Sequence, residues 1–111
     1  MEIKDTVTLL AALAQETRLS IFRLLGVQGS EGLSVGEIGQ RLSVAPATLS
    51  FHLKELSRAG LLHARQESRY IFYSANYTTM NALLAFLSEN CCGGSPCEIS
   101  APYSISPATR K

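Results

Sequence analysis

Long apolar runs are missing from this chain. None approaches the roughly 18–20 residues that a membrane span needs, so no transmembrane helix is expected. A secretory leader is not expected either, because Met1-Glu2-Ile3-Lys4-Asp5 is a mixed-charge start followed by only a short apolar stretch. Charge is scarce, at 17% of residues with a formal net charge of +1. Any contact with nucleic acid must therefore come from a local basic patch, doubled by dimerisation, rather than from global charge. Internal repeats are absent, as is a phosphate-binding loop, and neither histidine lies in a nucleophile motif, so no enzyme is expected. Cysteine is confined to Asn90-Cys91-Cys92-Gly93-Gly94-Ser95-Pro96-Cys97, three thiols within seven positions. The expected compartment is the cytoplasm, where thiols stay reduced and clustered cysteines bind metal more often than they form disulfides.

What is present is one domain's worth of chain, 111 residues with 46% hydrophobic content. That richness suggests a subunit interface, the alternative being a generous monomer core. Apolar periodicity predicts helices over residues 5–14 and 17–25, with Gly26 as a stop. Val27–Gly32 reads as a loop. Ser34-Val35-Gly36-Glu37 has the spacing of a capping box and opens a short helix ending at Leu42. After the turn Ser43-Val44-Ala45, Pro46 takes the favoured first position of a helix that ends at Gly60, with Leu49, Leu53 and Leu56 as its apolar stripe. Residues 61–65 and 69–74 read as a β-hairpin turning at Gln66-Glu67-Ser68. A last helix runs from Tyr77 to about Asn90, and three of the four prolines follow it. The expected fold is mainly α with a small β-hairpin (α+β), a dimeric winged helix-turn-helix. Residues 1–92 would form the DNA-binding and dimerisation domain and 93–111 a cysteine-bearing, largely irregular tail.

In such a module the second helix lies in the major groove and its N-terminal side chains meet base edges. Here those are Pro46, Ala47, Thr48, Ser50, Phe51 and His52, with Lys54 and Arg58 able to reach phosphate and Arg65 and Arg69 at the wing tip. The bland alternative is a small α+β domain whose exposed Thr, Ser and His side chains merely solvate a helix. His63 is read as structural.

Three segments carry a family resemblance: Glu16-Thr17-Arg18-Leu19-Ser20-Ile21, residues Ala47 to Leu56 (ATLSFHLKEL), and Ala59-Gly60-Leu61-Leu62. They resemble the ArsR/SmtB family of bacterial metal-responsive repressors over roughly residues 5–90. The resemblance implies a cytoplasmic bacterial homodimer built on the first and last helices. It also implies repression through double-stranded operator DNA, with release when a metal or metalloid binds.

The family's usual sensor sites do not transfer. Where its founding arsenic sensors carry Cys-Val-Cys, this chain has Ser34-Val35-Gly36, and Tyr77–Leu87 lacks the Asp/His and His/Glu pairs of the zinc-type site. Cys91, Cys92 and Cys97 must be judged on their own chemistry. Structural zinc wants four ligands; trivalent arsenic or antimony takes three thiolates in a pyramid, and some family members bind trivalent arsenicals at C-terminal Cys-Cys pairs. The expectation is thus repression of an arsenic-resistance operon with As(III) as inducer (Sb(III) or an organic trivalent arsenical also fitting) and no organic cofactor. Open alternatives are an organic arsenical held by two cysteines, a thiol redox switch, or a soft ion such as Cd(II) or Zn(II).

Overall fold

The computed structural model describes residues 1–90 and Gly93. The first helix, α1, spans Ile3–Leu13, and the Glu2 backbone N–H donates to the Asp5 carboxylate at 3.2 Å. Gln15 caps α2, Glu16–Gln28, its side chain accepting from the Arg18 N–H at 2.9 Å. This helix passes through Gly26, where the sequence suggests a stop, and ends at Gly29 with φ 99°. A mid-helix glycine costs only about 1 kcal/mol. The extra turn also gains a partner, because the Tyr77 hydroxyl lies 2.8 Å from the Gly26 carbonyl oxygen and 3.3 Å from that of Leu25. These carbonyls belong to the last turn, which has no helical donors of its own.

Ser34 and Glu37 form the expected capping box, with bonds of 3.2 and 2.9 Å, and open α3, Val35–Leu42. Hydrogen bonds from the Ser34 backbone, then from its side chain, hold the Glu37 carboxyl below the usual carboxylate range, with a smaller pull from Arg41. Helix α4 spans Pro46–Arg58 with Pro46 in its first turn. Its end is closed by two backbone bonds, Gly60 N–H to Ser57 O and Leu61 N–H to Leu56 O, both 3.0 Å. Gly60, at φ 88°, supplies the left-handed residue this double closure needs.

A two-residue strand, β1, covers Leu33–Ser34. Strands β2, Leu62–Glu67, and β3, Tyr70–Ala75, pair antiparallel from Leu62↔Ala75 to Glu67↔Tyr70. The connection is the two-residue Ser68-Arg69 rather than residues 66–68, because Ser68 takes a left-handed φ of 59° and lets Gln66 and Glu67 stay paired. Strand β1, which no sequence pattern announces, pairs with Tyr73 and Phe72 and sets the sheet order β1-β3-β2. Gly32 makes that approach possible: at φ 74°, a Cβ on it would collide with the Tyr73 carbonyl.

The last helix, α5, spans Tyr77–Ser88, two residues short of the expected end. The Ser88 hydroxyl donates back to the Leu84 carbonyl at 2.8 Å, and Asn90 has a left-handed φ of 60°. Cys91, Cys92, Cys97 and the expected tail beyond Gly93 lie outside the described residues. The core gathers Leu9 of α1, Ile21 and Leu25 of α2, Ile38 of α3, the stripe Leu49, Leu53 and Leu56 of α4, and Leu83 of α5.

The two glycine sites separate steric from conformational cost. Gly60→Ala meets open space and should lose about 1–2 kcal/mol for its left-handed backbone alone. Gly32→Ala adds a backbone collision and should lose roughly 2–4 kcal/mol. Urea unfolding of the two variants checks the order; equal losses would contradict the close β1–β3 approach.

Candidate nucleic-acid interface

Burying one stripe of a helix determines what its other side presents, since successive residues are rotated by about 100°. With Leu49, Leu53 and Leu56 in the core, α4 exposes Pro46, Ala47, Thr48, Ser50, Phe51 and Lys54. These occupy the first turns of the helix, just beyond the turn from α3. Arg58, further along, is paired with Glu55 at 2.9 Å.

His52 is the exception among the residues expected to meet bases. It is 8% exposed and faces inward, its Nδ1 3.3 Å from the Arg18 Nη1. Guanidinium can only donate, so Nδ1 is the acceptor. Arg18 in turn donates through Nε to the Ala12 carbonyl at 2.6 Å, near the end of α1. His52 therefore ties α4 to the α1–α2 corner, and its expected place on the base-reading face is corrected. The helical phase explains it: three residues after Leu49 and four before Leu56 is the buried side. Phe51 leans on the same histidine, edge to face, with ring centroids 5.4 Å apart at 65°.

The two wing arginines also differ. Arg69 is exposed in the connection at the wing tip. Arg65 lies back along β2, where its guanidinium stacks 5.0 Å from the centre of the Phe72 ring. It also donates to Glu67 at 3.0 Å and to the Glu31 carbonyl at 3.2 Å. These contacts hold the wing against the loop before β1 rather than leaving the group extended at the tip.

Asn76, absent from the residues singled out in the sequence, connects the end of α4 to the start of α5. Its Oδ1 accepts from the Thr79 N–H at 3.2 Å, and its Nδ2 donates to the Gly60 carbonyl at 3.0 Å. Its backbone N–H donates to the Leu61 carbonyl at 2.9 Å. An asparagine directly before a helical stripe is a capping signal, so the residue was findable; its bond back to Gly60 was not. Outside the helix-turn-helix, α1 exposes Ile3, Val7 and Leu10, and α5 exposes Leu84 and Leu87. Among the described residues no three His, Cys, Asp or Glu side chains gather as metal ligands, and no helix is long and apolar enough to cross a membrane.

Residues 13–65 match the family of helix-turn-helix domains. The transcriptional activator HlyU of Vibrio cholerae is 38% identical over 86 residues, covering 78% of this chain and 77% of that protein. The chain belongs to the ArsR/SmtB-like family of winged-helix transcriptional regulators. A structure of reduced HlyU superposes with a TM-score of 0.65 at 37% identity, covering 80% of this chain and 90% of that one. A candidate arsenical resistance operon repressor, ArsR, of Halobacterium salinarum is 39% identical over 88 residues, 78% of this chain and 65% of the relative. The homodimeric winged helix-turn-helix domain of a possible ArsR-family regulator of Mycobacterium bovis is 26% identical, with a TM-score of 0.63 over 79% of this chain and 82% of that one. These relatives are transcriptional regulators and not enzymes, in line with the sequence. An ArsR/SmtB-like regulator of this geometry uses α3, α4 and the hairpin as its helix-turn-helix and wing.

The difference between the wing arginines is measurable. Arg65→Ala should lower stability by roughly 1 kcal/mol through the lost Phe72 and Glu31 contacts. Arg69→Ala should leave the melting temperature unchanged and reduce the salt dependence of DNA binding by about one counterion per subunit. Thermal unfolding and salt-titrated binding check the pair, and a reversed pattern would contradict the assignment.

Proposed function

We propose that the protein is a cytoplasmic, homodimeric repressor of an arsenic-resistance operon, released from its operator when trivalent arsenic or antimony binds Cys91, Cys92 and Cys97. The observation that carries the reading is the path of α5. It starts at Asn76, bonded to the end of α4, and stops at Ser88, three residues before the first thiol of the cluster. An event at those thiols acts on a helix whose other end touches the DNA-reading helix.

Each part has its support. Operator contact is assigned to Pro46, Ala47, Thr48, Ser50, Phe51 and Lys54, exposed on α4, and to Arg69 at the wing tip. Arg65 orders the wing, and His52 braces α4 from behind. The dimer forms through the apolar stripe Ile3, Val7 and Leu10 of α1 with Leu84 and Leu87 of α5; the Mycobacterium bovis relative is itself homodimeric. Burying apolar surface is the driving force for such pairing. At the sensor, arsenous acid exchanges three hydroxyls for three thiolate sulfurs and, taking up the three thiol protons, releases three waters. The trivalent metalloid is soft, as thiolate is, and the Halobacterium salinarum relative carries an arsenical resistance name.

Ligation draws the chain after α5 into a new turn. The shift passes along α5 to Asn76 and from there to Gly60 at the end of α4, altering the spacing of the two recognition helices. Half-sites lie about one turn of DNA apart, so a small reorientation prevents both helices from docking. A second reading, a thiol redox switch pairing Cys97 with Cys91 or Cys92, is favoured by the likeness to HlyU, one structure of which is described as reduced.

Fluorescence anisotropy of the promoter fragment upstream of the protein's own gene tests the proposal. Arsenite added to the reduced complex should weaken DNA binding by about 5- to 150-fold, the usual range of allosteric coupling. Zn(II) should do little, and Cys91→Ser should abolish the response. Full release of the Cys91→Ser variant by arsenite would overturn the mechanism. Release by diamide but not arsenite, reversed by dithiothreitol, would establish the redox reading instead, and release retained by Cys97→Ser with a phenyl arsenical would point to the two-thiol organic form.

A further inference from the structure

Phe51 is a large apolar side chain, 56% exposed, in the middle of an otherwise small and polar helix face. Its place is well defined. The ring packs edge to face on His52 at 5.4 Å, His52 accepts from Arg18, and Arg18 is bonded to the Ala12 carbonyl. A surface phenylalanine braced from behind through three residues, on the side of the helix turned away from the core, is set to meet something apolar.

The rest of that face narrows the choice. Between Pro46 and Lys54 it carries no Arg, Asn or Gln, and the one side chain there that can pair with a base through two bonds is Lys54 at the far end. Thr48 and Ser50 hydroxyls bond any base or a phosphate equally well. Lys54 lies a turn further from the start of the helix, where phosphate is within reach of a long flexible stem. What remains for discrimination is apolar contact, from Phe51 and from Ala47 four residues before it on the same face. In the major groove one base feature answers that chemistry, the C5 methyl of thymine.

We propose that this protein distinguishes its operator chiefly through thymine methyl groups, with Phe51 as the specificity-determining residue and Ala47 contacting a second methyl. Four helical residues advance about 6 Å, so the two methyls lie within about two base steps of one another. The inference rests on α4 being the DNA-reading helix and is independent of the inducer.

Selection of duplexes from a random library by the full reduced chain supplies the binding site directly. Thymine at one or more positions of each half-site is expected. Replacing such a thymine by uracil removes only the methyl, and should weaken wild-type binding about fourfold, the value of one buried methyl-sized group. Phe51→Ala, at an exposed position, should melt with the wild type and lose the preference at one thymine of each half-site, keeping only that at the methyl met by Ala47. Phe51→Leu should keep part of the discrimination. A wild type indifferent to the uracil exchange would overturn the proposal, as would a Phe51→Ala variant that retains the fourfold preference at every selected thymine. A library showing no enrichment at all would remove the DNA-reading assignment of α4 itself, a separate failure that takes this inference with it.

Discussion

The side chain of Asn76 sits where the recognition helix ends, the hairpin closes and α5 begins, and the residue bonds at each of those places. Its amide donates to Gly60, its backbone to Leu61, and its oxygen accepts from the first turn of α5. Hydrogen bonds contribute only about 1 kcal/mol each, but these converge on one residue and fix the mutual position of three elements. Tyr77, the next residue, adds α2 through its hydroxyl. The wing, α5 and the DNA-reading helix therefore share a single junction, and none can shift without changing a bond made there.

The front of α4 is organised by its back. Leu49, Leu53 and Leu56 in the core set the phase of the helix, which leaves Ala47, Ser50, Phe51 and Lys54 outward. His52 and Arg18 then tie the same helix to the corner after α1. The α1 helix thus has two sides, an outward apolar stripe and a C-terminal end that braces the reading helix. A dimer built on α1 and α5 would transmit its geometry to α4 at two places, through Arg18 and His52 at mid-helix and through Asn76 past its end.

Much of this was legible because the signals were local. Ser34 and Glu37 satisfy one another within four residues, and Pro46 and Gly60 bracket α4 by backbone geometry alone. Where sequence reasoning failed, the deciding partner was distant or the signal too short. Arg18 and His52 are 34 positions apart, so the inward turn of His52 could be inferred only by weighing its phase against Leu49 and Leu56 over its nearness to the helix start. Helix α2 outran Gly26 because a tyrosine 51 residues later caps it. A two-residue strand such as β1 carries no periodicity, and its pairing depends on Gly32 allowing Tyr73 close. The cysteine cluster lies outside the described residues, and the junction at Asn76 that would connect it to α4 was not legible.

In the proposed mechanism, coupling through Asn76 is the step on which regulation of α4 by the end of α5 depends. Asn76→Asp keeps the oxygen that caps α5, removes the donor to Gly60 and sets a carboxylate oxygen against the Gly60 carbonyl, so it breaks the junction on its α4 side. Anisotropy of the promoter fragment with this variant, with and without arsenite, is the most direct measurement. The account predicts arsenite-free affinity within about twofold of wild type and an arsenite effect reduced at least about fivefold, the lower end of an allosteric coupling. An Asn76→Asp protein that binds DNA normally and releases it as fully as wild type would contradict it.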